Sequence, residues 1–330
     1  MFFFILGCWL GFSLLTTAAE IKPPLVWPPP PAEPRIVFVR EIAGPQDIGV
    51  RPAALQRFAN WITGVSNNHQ KMDRPFGLSL DSSENLLVAD TAAATVSYLD
   101  LAHKKWLHWS SIGDIRLLSP VSAVRHGSTF FVADSGLGEV IAFDKDGKIQ
   151  FAITNELERP TGLALLDDRL LIVDSQRHQI VVCDMQGKPV SKFGRRGKEL
   201  GEFNFPTHIS VDDRHRIYVT DSLNCRIQVF DAGGHFLRAF GSAGDGAGRF
   251  SRPKGVAVDR DGHVYVVDGV FNNVQIFDDQ NRLLLDFGEP GAAPGQFCLP
   301  NAIVINSKNE IFVADAFNHR LQMFRYLSKP

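Results

Sequence analysis

Residues 217–221, Ile-Tyr-Val-Thr-Asp, are four strand-forming residues followed by an aspartate, and the return of this pattern along the chain decides the fold. Comparable runs end at six aspartates that lie 44, 40, 47, 47 and 47 residues apart: Asp90, Asp134, Asp174, Asp221, Asp268 and Asp315. A proline precedes each aspartate by 14 or 15 residues, and another strand-like run follows it. Repetition at such a period is typical of folds built from one small sheet per repeat.

Each repeat contains four apolar runs separated by turn residues. In the fifth repeat the runs are residues 255–259, 264–268, 273–278 and 282–288. They predict a four-stranded antiparallel sheet, whose strands we call a to d from first to last. One such sheet cannot bury its faces alone, so the repeats must stack around an axis. The sequence therefore predicts an all-β fold, a six-bladed β-propeller of four-stranded antiparallel blades, over roughly residues 72–330.

The last repeat is too short for a fourth strand of its own. In the fourth repeat, strand d ends at Gly241, 11 residues after Phe230 of strand c. The corresponding residue of the sixth repeat is Phe324, and the sequence stops at residue 330. Residues 35–42, RIVFVREI, are a strand-like run outside the repeats. We expect this N-terminal strand to complete blade six and close the ring, because a bare sheet edge is a liability. Residues 35–330 would then be one domain.

The repeats resemble a known family. Three of them are joined by Gly-x-Phe-x-x-Pro linkers, and residues 221–230 carry Asp-x-x-Asn-x-Arg-Ile-Gln-Val-Phe, which residues 315–322 repeat closely. This pattern resembles the NHL-repeat family of six-bladed β-propellers, of the type that bacteria export. The resemblance implies the fold. It does not imply one function, because NHL propellers include RNA binders, protein-interaction modules and lyases.

The N-terminal residues predict export. Residues 2–15 are an uncharged apolar run and residues 17–19 are small, so residues 1–19 read as a signal peptide. No basic residue precedes the run, which leaves the start codon and a retained anchor open. Residues 5–8 loosely match a lipobox, and a lipid on Cys8 would tether the protein to a membrane. We expect a periplasmic or extracellular protein, with such an N-terminal tether as the alternative.

Two further segments lie before the repeats. Residues 20–34 are rich in proline and predict an extended stalk or, alternatively, a disordered leader. In residues 52–63, Leu55, Phe58 and Ile62 recur at helical spacing, which predicts a short helix packed on the propeller.

Composition excludes several classes of function. The formal net charge is −2, from 34 basic and 36 acidic residues, which argues against a body built to bind nucleic acid. The four cysteines form no CxxC pair, so the sequence predicts neither a haem attachment site nor a zinc ribbon. We predict no cofactor.

The repetition of the aspartates in every blade favours a structural role over a catalytic one. A catalytic acid is needed once or twice, whereas these six recur in every blade, and an aspartate before a tight turn accepts backbone N–H groups. We therefore interpret Asp90, Asp134, Asp174, Asp221, Asp268 and Asp315 as structural.

The residues directly after the linker prolines should enter the central channel, where a propeller enzyme would hold its ligands. They are Phe76, Val121, Thr161, Thr207, Lys254 and Asn301. The resemblance to amidating lyases implies zinc-binding histidines at these positions, but the nearest histidine, His208, lies one place later and alone. The resemblance to calcium-dependent lactonases implies a Glu, Asn and Asp set, of which only Asn301 is present. The sequence thus predicts no metal and no catalytic residue.

Basic residues gather where the d–a linkers and b–c turns should share one face. We take the following as candidate ligand-binding residues: Arg74, Arg159, Arg177, His178, His208, Arg226, Arg252, Lys254, Asn301, His319 and Arg320. The leading hypothesis is an exported scaffold that binds a protein, a peptide or a cell-envelope component there. The alternatives are a propeller enzyme of lyase or lactonase type with an unusual channel site, and an RNA-binding domain, which export argues against.

Overall fold

Strands make up nearly all of the regular structure. The computed structural model describes residues 24–50, 71–155 and 157–328. The predicted signal peptide, residues 1–19, and the predicted helix, residues 52–63, lie outside these ranges. Within them, six main antiparallel sheets follow one another along the chain, which confirms the six-bladed propeller. None of the helices in these ranges is long and apolar enough to cross a bilayer.

The strands, in chain order, are as follows. Before the repeats lie β1 (Val26–Trp27) and β2 (Ile36–Ile42). Blade one is β3 (Pro75–Leu80), β4 (Leu86–Asp90), β5 (Thr95–Asp100) and β6 (Lys105–Trp109), and a small hairpin follows, β7 (Ser111–Ile112) and β8 (Ile115–Arg116). Blade two is β9 (Pro120–His126), β10 (Thr129–Asp134), β11 (Glu139–Phe143) and β12 (Ile149–Ile153). Blade three is β13 (Pro160–Leu166), β14 (Arg169–Asp174), β15 (Gln179–Asp184) and β16 (Pro189–Phe193).

The remaining blades follow the same plan. Blade four is β17 (Pro206–Val211), β18 (Ile217–Asp221), β19 (Arg226–Phe230) and β20 (Phe236–Phe240). Blade five is β21 (Pro253–Val258), β22 (Val264–Asp268), β23 (Asn273–Phe277) and β24 (Leu283–Phe287). Blade six contributes β25 (Ile303–Ile305), β26 (Glu310–Asp315) and β27 (Arg320–Tyr326). Short 3-10 helices span Pro45–Ile48, Ser222–Asn224 and Ala316–Asn318.

The core lies between blades. Apolar side chains on both faces of the inner strands pack against the neighbouring sheet, so each pair of adjacent blades shares one buried cluster. Between blades four and five, for example, Tyr218, Phe250 and Phe277 are almost fully buried. A fully buried aromatic side chain contributes about 2–3 kcal/mol. Stability is therefore distributed around the ring, and each blade depends on both of its neighbours.

The ring closes through the N-terminal strand, as predicted. β2 pairs antiparallel with β27, from Ile36 opposite Tyr326 to Ile42 opposite Leu321. This pairing gives blade six its outer strand and joins residues near the two ends of the described chain. Ile36 and Ile42 are fully buried in the clusters on either side of blade six.

Residues 24–34 do not extend away as a stalk. β1 adds a fifth strand to blade six, outside β2, with Val26 opposite Val37 and Trp27 opposite Ile36. Trp27 packs on Phe287 and Phe324, each with a ring-centroid distance of 5.8 Å. Proline cannot supply N–H donors to a central strand, but two residues between prolines suffice for a short edge strand. This segment therefore belongs to the propeller.

The d–a linkers before blades four, five and six are each fixed by a contact between a Phe and a Gly. Gly288, at the end of β24, has φ +91°, and a Cβ there would lie 2.4 Å from the ring of Phe297. Gly241 has the same relation to Phe250, at 2.3 Å. Glycine is required at these positions both by the left-handed backbone and by the close approach of the ring. The buried ring holds the linker at the start of the next strand a.

Candidate ligand site at the channel mouth

The d–a linkers and b–c turns meet on one face, which we call the linker face. All six repeated aspartates are buried here and accept hydrogen bonds from backbone N–H groups of the preceding linker. In blade one, for example, the carboxylate of Asp90 accepts the N–H groups of Asp73 and Arg74 at 2.7 and 2.9 Å. The aspartates thus attach each linker to its b–c turn, and their oxygens are directed into the fold.

Two of the candidate arginines belong to this attachment. Arg226 donates to the carboxylate of Asp221 at 2.8 Å and to two linker carbonyl groups, those of Glu199 and Glu202. Arg320 makes the corresponding contacts in blade six and also pairs with Glu41 of β2 at 2.7 Å. These guanidinium groups are occupied by the protein itself, which differs from the ligand-binding role we expected for them.

His178 is also occupied. Its buried ring lies edge-on against Phe205, and its Nδ1 accepts the backbone N–H of Phe205 at 3.0 Å. Burial, followed by the positive charge of Arg196, lowers the pKa of His178. The imidazole therefore supports the linker in its neutral form.

The outer candidates lie on the rim of the linker face. Arg177 is exposed and near Glu158 and Asp174, with N–O distances of 3.7 and 3.9 Å. His319 contacts Asp73 across the junction between blades six and one. At the same junction the guanidinium of Arg74 lies 4.8 Å from the ring centroid of Phe317.

The channel runs along the propeller axis and is lined by strand a of each blade. A cavity of about 230 Å³ lies in it, lined by residues farther along strand a than those next to the linker prolines, among them Leu78, Val124, Leu163, Ile209, Val256 and Ile303. We call the end of the channel at the linker face, where the a strands begin, the channel mouth. There the strand-a starts of opposite blades approach one another.

His208 of blade four reaches across the mouth. Its ring stacks on Phe76 of blade one, with a centroid distance of 6.2 Å and an interplanar angle of 24°. Its Nε2 lies 3.1 Å from Nδ2 of Asn301 of blade six. Asn301 is buried and also donates to the carbonyl oxygen of Phe76 at 2.8 Å. Residues from three blades thus meet at the axis.

These contacts determine the protonation of His208. The carbonyl oxygen of Phe76 can only accept, so the Asn301 group facing it is the NH2 group, which also donates to Nε2 of His208. The proton of the imidazole must then lie on Nδ1, which faces the hydroxyl of Thr207 at 3.1 Å. Burial, with a further contribution from the charge of Lys254, lowers the pKa of His208 to about 3. The imidazole is therefore neutral near pH 7.

One cation, Lys254, acts on this neutral group, and two arginines act on Lys254 in turn. Lys254 starts strand a of blade five, and its side chain lies over Gly269 of the adjacent b–c turn. Among the described residues its ammonium group has no hydrogen-bond or ion-pair partner. Burial lowers the pKa of Lys254, and the positive charges of Arg252 and Arg159 lower it further. The guanidinium groups of these two exposed arginines likewise lack partners in the described part of the chain. The channel mouth is therefore a positive site, although the buried carboxylate of Asp268, which accepts N–H groups of the linker, partly offsets the charge near Lys254.

One group of possible metal ligands converges in the described ranges, and it lies elsewhere. Asp259, Asp261 and His263 of the a–b turn in blade five have ligand atoms within 4.8 Å of one another. Nδ1 of His263 lies 2.8 Å from the carboxylate of Asp259, and this hydrogen bond raises the pKa of His263. A protonated imidazole is not a metal ligand. Asp259 also accepts the backbone N–H of His263, four residues later. Asp212 in an a–b turn and Asp278 in a c–d turn accept the N–H groups of Arg216 and Arg282 at the same spacing, which indicates a turn motif.

The sequence contains one feature that could have predicted this site. At the second position after the linker proline, the other five blades carry only small residues: Gly77, Ser122, Gly162, Gly255 and Ala302. At Gly77 and Gly255 a Cβ would lie 2.1 and 2.7 Å from backbone atoms of the next blade. His208 is therefore the one large residue at this position of the repeat. Its size and polarity indicate a role at the channel mouth beyond packing between blades.

Comparisons with known proteins agree with this architecture. A family model described as a 6-bladed beta-propeller matches residues 213–269, and the NHL repeat model matches residues 297–324. An auxiliary nutrient binding protein from Bacteroides thetaiotaomicron has a TM-score of 0.62 at 14% identity, over 78% of this chain and 70% of that one. A streptogramin B lyase has a TM-score of 0.57 at 11% identity, over 78% of this chain and 94% of that one. Virginiamycin B lyase from Staphylococcus aureus, solved with quinupristin, has a TM-score of 0.56 at 12% identity, over 79% of this chain and 97% of that one.

At these identities the solved structures establish the fold alone. Six blades and a strand that closes the ring define the class, a six-bladed β-propeller, and the matches to a 6-bladed beta-propeller model and to the NHL repeat lie in blades four to six.

Proposed function

We propose that this propeller is a binding protein that holds a protein or peptide ligand on its linker face, at the channel mouth. One observation carries the proposal: Lys254, Arg252 and Arg159 lie together there, and among the described residues none of their charged groups forms an ion pair. Two further arginines on this face, Arg226 and Arg320, are instead neutralised by aspartates of the fold. Cations that form no ion pair at the end of a channel favour ligand binding over a structural role.

The location of the protein is part of the proposal. The apolar run at residues 2–15 supports export to the periplasm or the cell surface, where a protein, a peptide or an envelope component would be the ligand. A nutrient-binding protein among the structural neighbours is consistent with a binding role for this fold.

Site-specific photo-crosslinking in the producing cells tests the proposal. A photoreactive amino acid at position 270, beside the channel mouth, is expected to capture one defined partner. The matched position is 237, because Leu237 is exposed to a similar degree on the outer strand β20, at 51% against 49% for Val270. Capture at 270 alone supports the proposal. Equal capture at both positions, or none at 270, contradicts it.

A second function is lyase chemistry, and His208 favours it as a neutral imidazole in the channel. Two of the structural neighbours are lyases by name. We place this function second because Nε2 of His208 accepts from Asn301, and a group with a pKa of about 3 is a weak base near neutral pH. If the purified chain turned over quinupristin and His208→Ala lost this activity, lyase chemistry would become the first proposed function and ligand binding the second.

A further inference from the structure

The linker face is asymmetric in a way that bears on its ligand. The second residue after each repeated aspartate lies at the tip of a b–c turn. In blades four to six these residues are Leu223, Val270 and Phe317, which are 48%, 49% and 46% exposed. In blades one to three the same position holds Ala92, Gly136 and Gln176. We call the first set the apolar arc, because large exposed apolar groups are confined to one half of the ring at this position.

The apolar arc and the cations alternate around the face. Arg252 acts electrostatically on Cys225, two residues after Leu223 in the b–c turn of blade four. The side chain of Lys254 passes 3.4 Å from the place a Cβ would take on Gly269, directly before Val270. Arg74 lies over the ring of Phe317. Each member of the apolar arc therefore lies near a cation, and the middle one adjoins the cation that lies at the channel mouth.

We propose that the channel mouth binds a carboxylate of a peptide whose apolar side chains lie along the apolar arc. This inference rests on the proposed function and names the chemistry of its ligand. Lys254 would meet the carboxylate, and Arg252 and Arg159 would close around it, since an arginine fork matches a carboxylate well. The apolar arc offers contact area that a free inorganic anion could not use.

The site fits a monoanion better than a phosphate dianion. Only one cation, Lys254, is largely enclosed by protein, and its neighbour at the axis, His208, is neutral and already saturated with hydrogen bonds. A phosphate has three strong acceptor oxygens and needs several buried donors. One further donor is the hydroxyl of Thr161, which starts strand a of blade three and is buried without a partner among the described residues.

An array of short peptides tests this inference on the full chain. Pentapeptides with apolar residues are displayed with a free C-terminal carboxylate, as the matching carboxamides, and with phosphoserine followed by a carboxamide. We expect retention on the carboxylates to exceed that on the carboxamides and phosphopeptides at least tenfold. Lys254→Met should abolish this preference. Lys198→Met is the charge-matched control, because Lys198 is an exposed lysine of a linker on the same face, and it should bind as the wild type does.

Three outcomes overturn the inference. Equal retention of carboxylates and carboxamides means that the site does not recognise the charge of the C-terminus. Retention of phosphopeptides that depends on Lys254 means that the site binds phosphate. Retention of none of the peptides excludes peptide carboxylates as the ligand. In all three cases a partner captured at position 270 would leave the proposed function standing, so the two failures are distinguishable.

Discussion

At the scale of single residues, His208 should link stability to pH. Its folded-state pKa is about 3, against about 6.5 for an unperturbed histidine in the unfolded chain. As the pH falls below about 6.5, His208 therefore gains a proton in the unfolded chain but stays neutral in the folded protein. The contribution of His208 to stability is complete above the unfolded pKa and is lost progressively toward pH 3.

His208→Gln removes this titration while keeping an amide that can accept from Asn301. We expect the melting temperature of the wild type to fall more steeply than that of the variant between pH 7 and pH 5. His126→Gln serves as a control, because its side chain is 40% exposed on β9, and it should follow the wild-type curve. Parallel curves for the wild type and His208→Gln would show that the enclosed imidazole titrates as it does in water.

At the scale of the element, the NHL repeat motif works as a clamp on the linker. In blade four, Asn224, Arg226 and Gln228 all donate to the carboxylate of Asp221, and each also holds a carbonyl of the linker. In blade five the position of Arg226 is taken by Asn273, whose Oδ1 is buried and has no partner in the described part of the chain. Blade five therefore has a weaker clamp, although its linker has the same length.

Exchange of these two side chains should move stability in opposite directions. Arg226→Asn leaves the buried carboxylate of Asp221 and two carbonyl groups with fewer donors, which should cost about 3 kcal/mol. Asn273→Arg supplies a guanidinium to Asp268 and to the linker, and it should raise the denaturation midpoint. Urea unfolding of both variants measures the effect. A loss of stability in both variants would mean that blade five cannot accommodate the clamp.

The blades could be predicted from the sequence, whereas part of the candidate site could not. The repeat predicted the blades and the strand that closes them, because hydrophobic alternation and turn residues are local signals. The arginines of the clamp were misread as surface cations, although Arg226 and Arg320 recur at one position just as the aspartates do. The meeting of Phe76, His208 and Asn301 could not be predicted, since it depends on side-chain reach across the channel between residues up to 225 positions apart.

At the scale of the whole molecule, stability should depend on ring closure. β2 contributes the buried side chains of Ile36 and Ile42, worth about 2 kcal/mol each, and a ladder of hydrogen bonds to β27 worth about 1 kcal/mol each. The sum is comparable with the entire stability of a typical domain, about 5–15 kcal/mol. Without β2 the edge of blade six is bare, and blades six and one are joined only by the side chains at their junction.

Three truncated chains separate the contributions of β1 and β2. A chain that starts at Pro24 keeps every described contact and is the reference. One that starts at Arg35 loses Trp27 from Phe287 and Phe324, which should lower stability by about 2–4 kcal/mol but leave a closed ring. A chain that starts at Ala43 lacks β2 as well, so it should melt far lower or aggregate through the open edge. Calorimetry that gave equal melting temperatures for the last two chains would show that the propeller holds together through its blade-to-blade clusters without a closing strand.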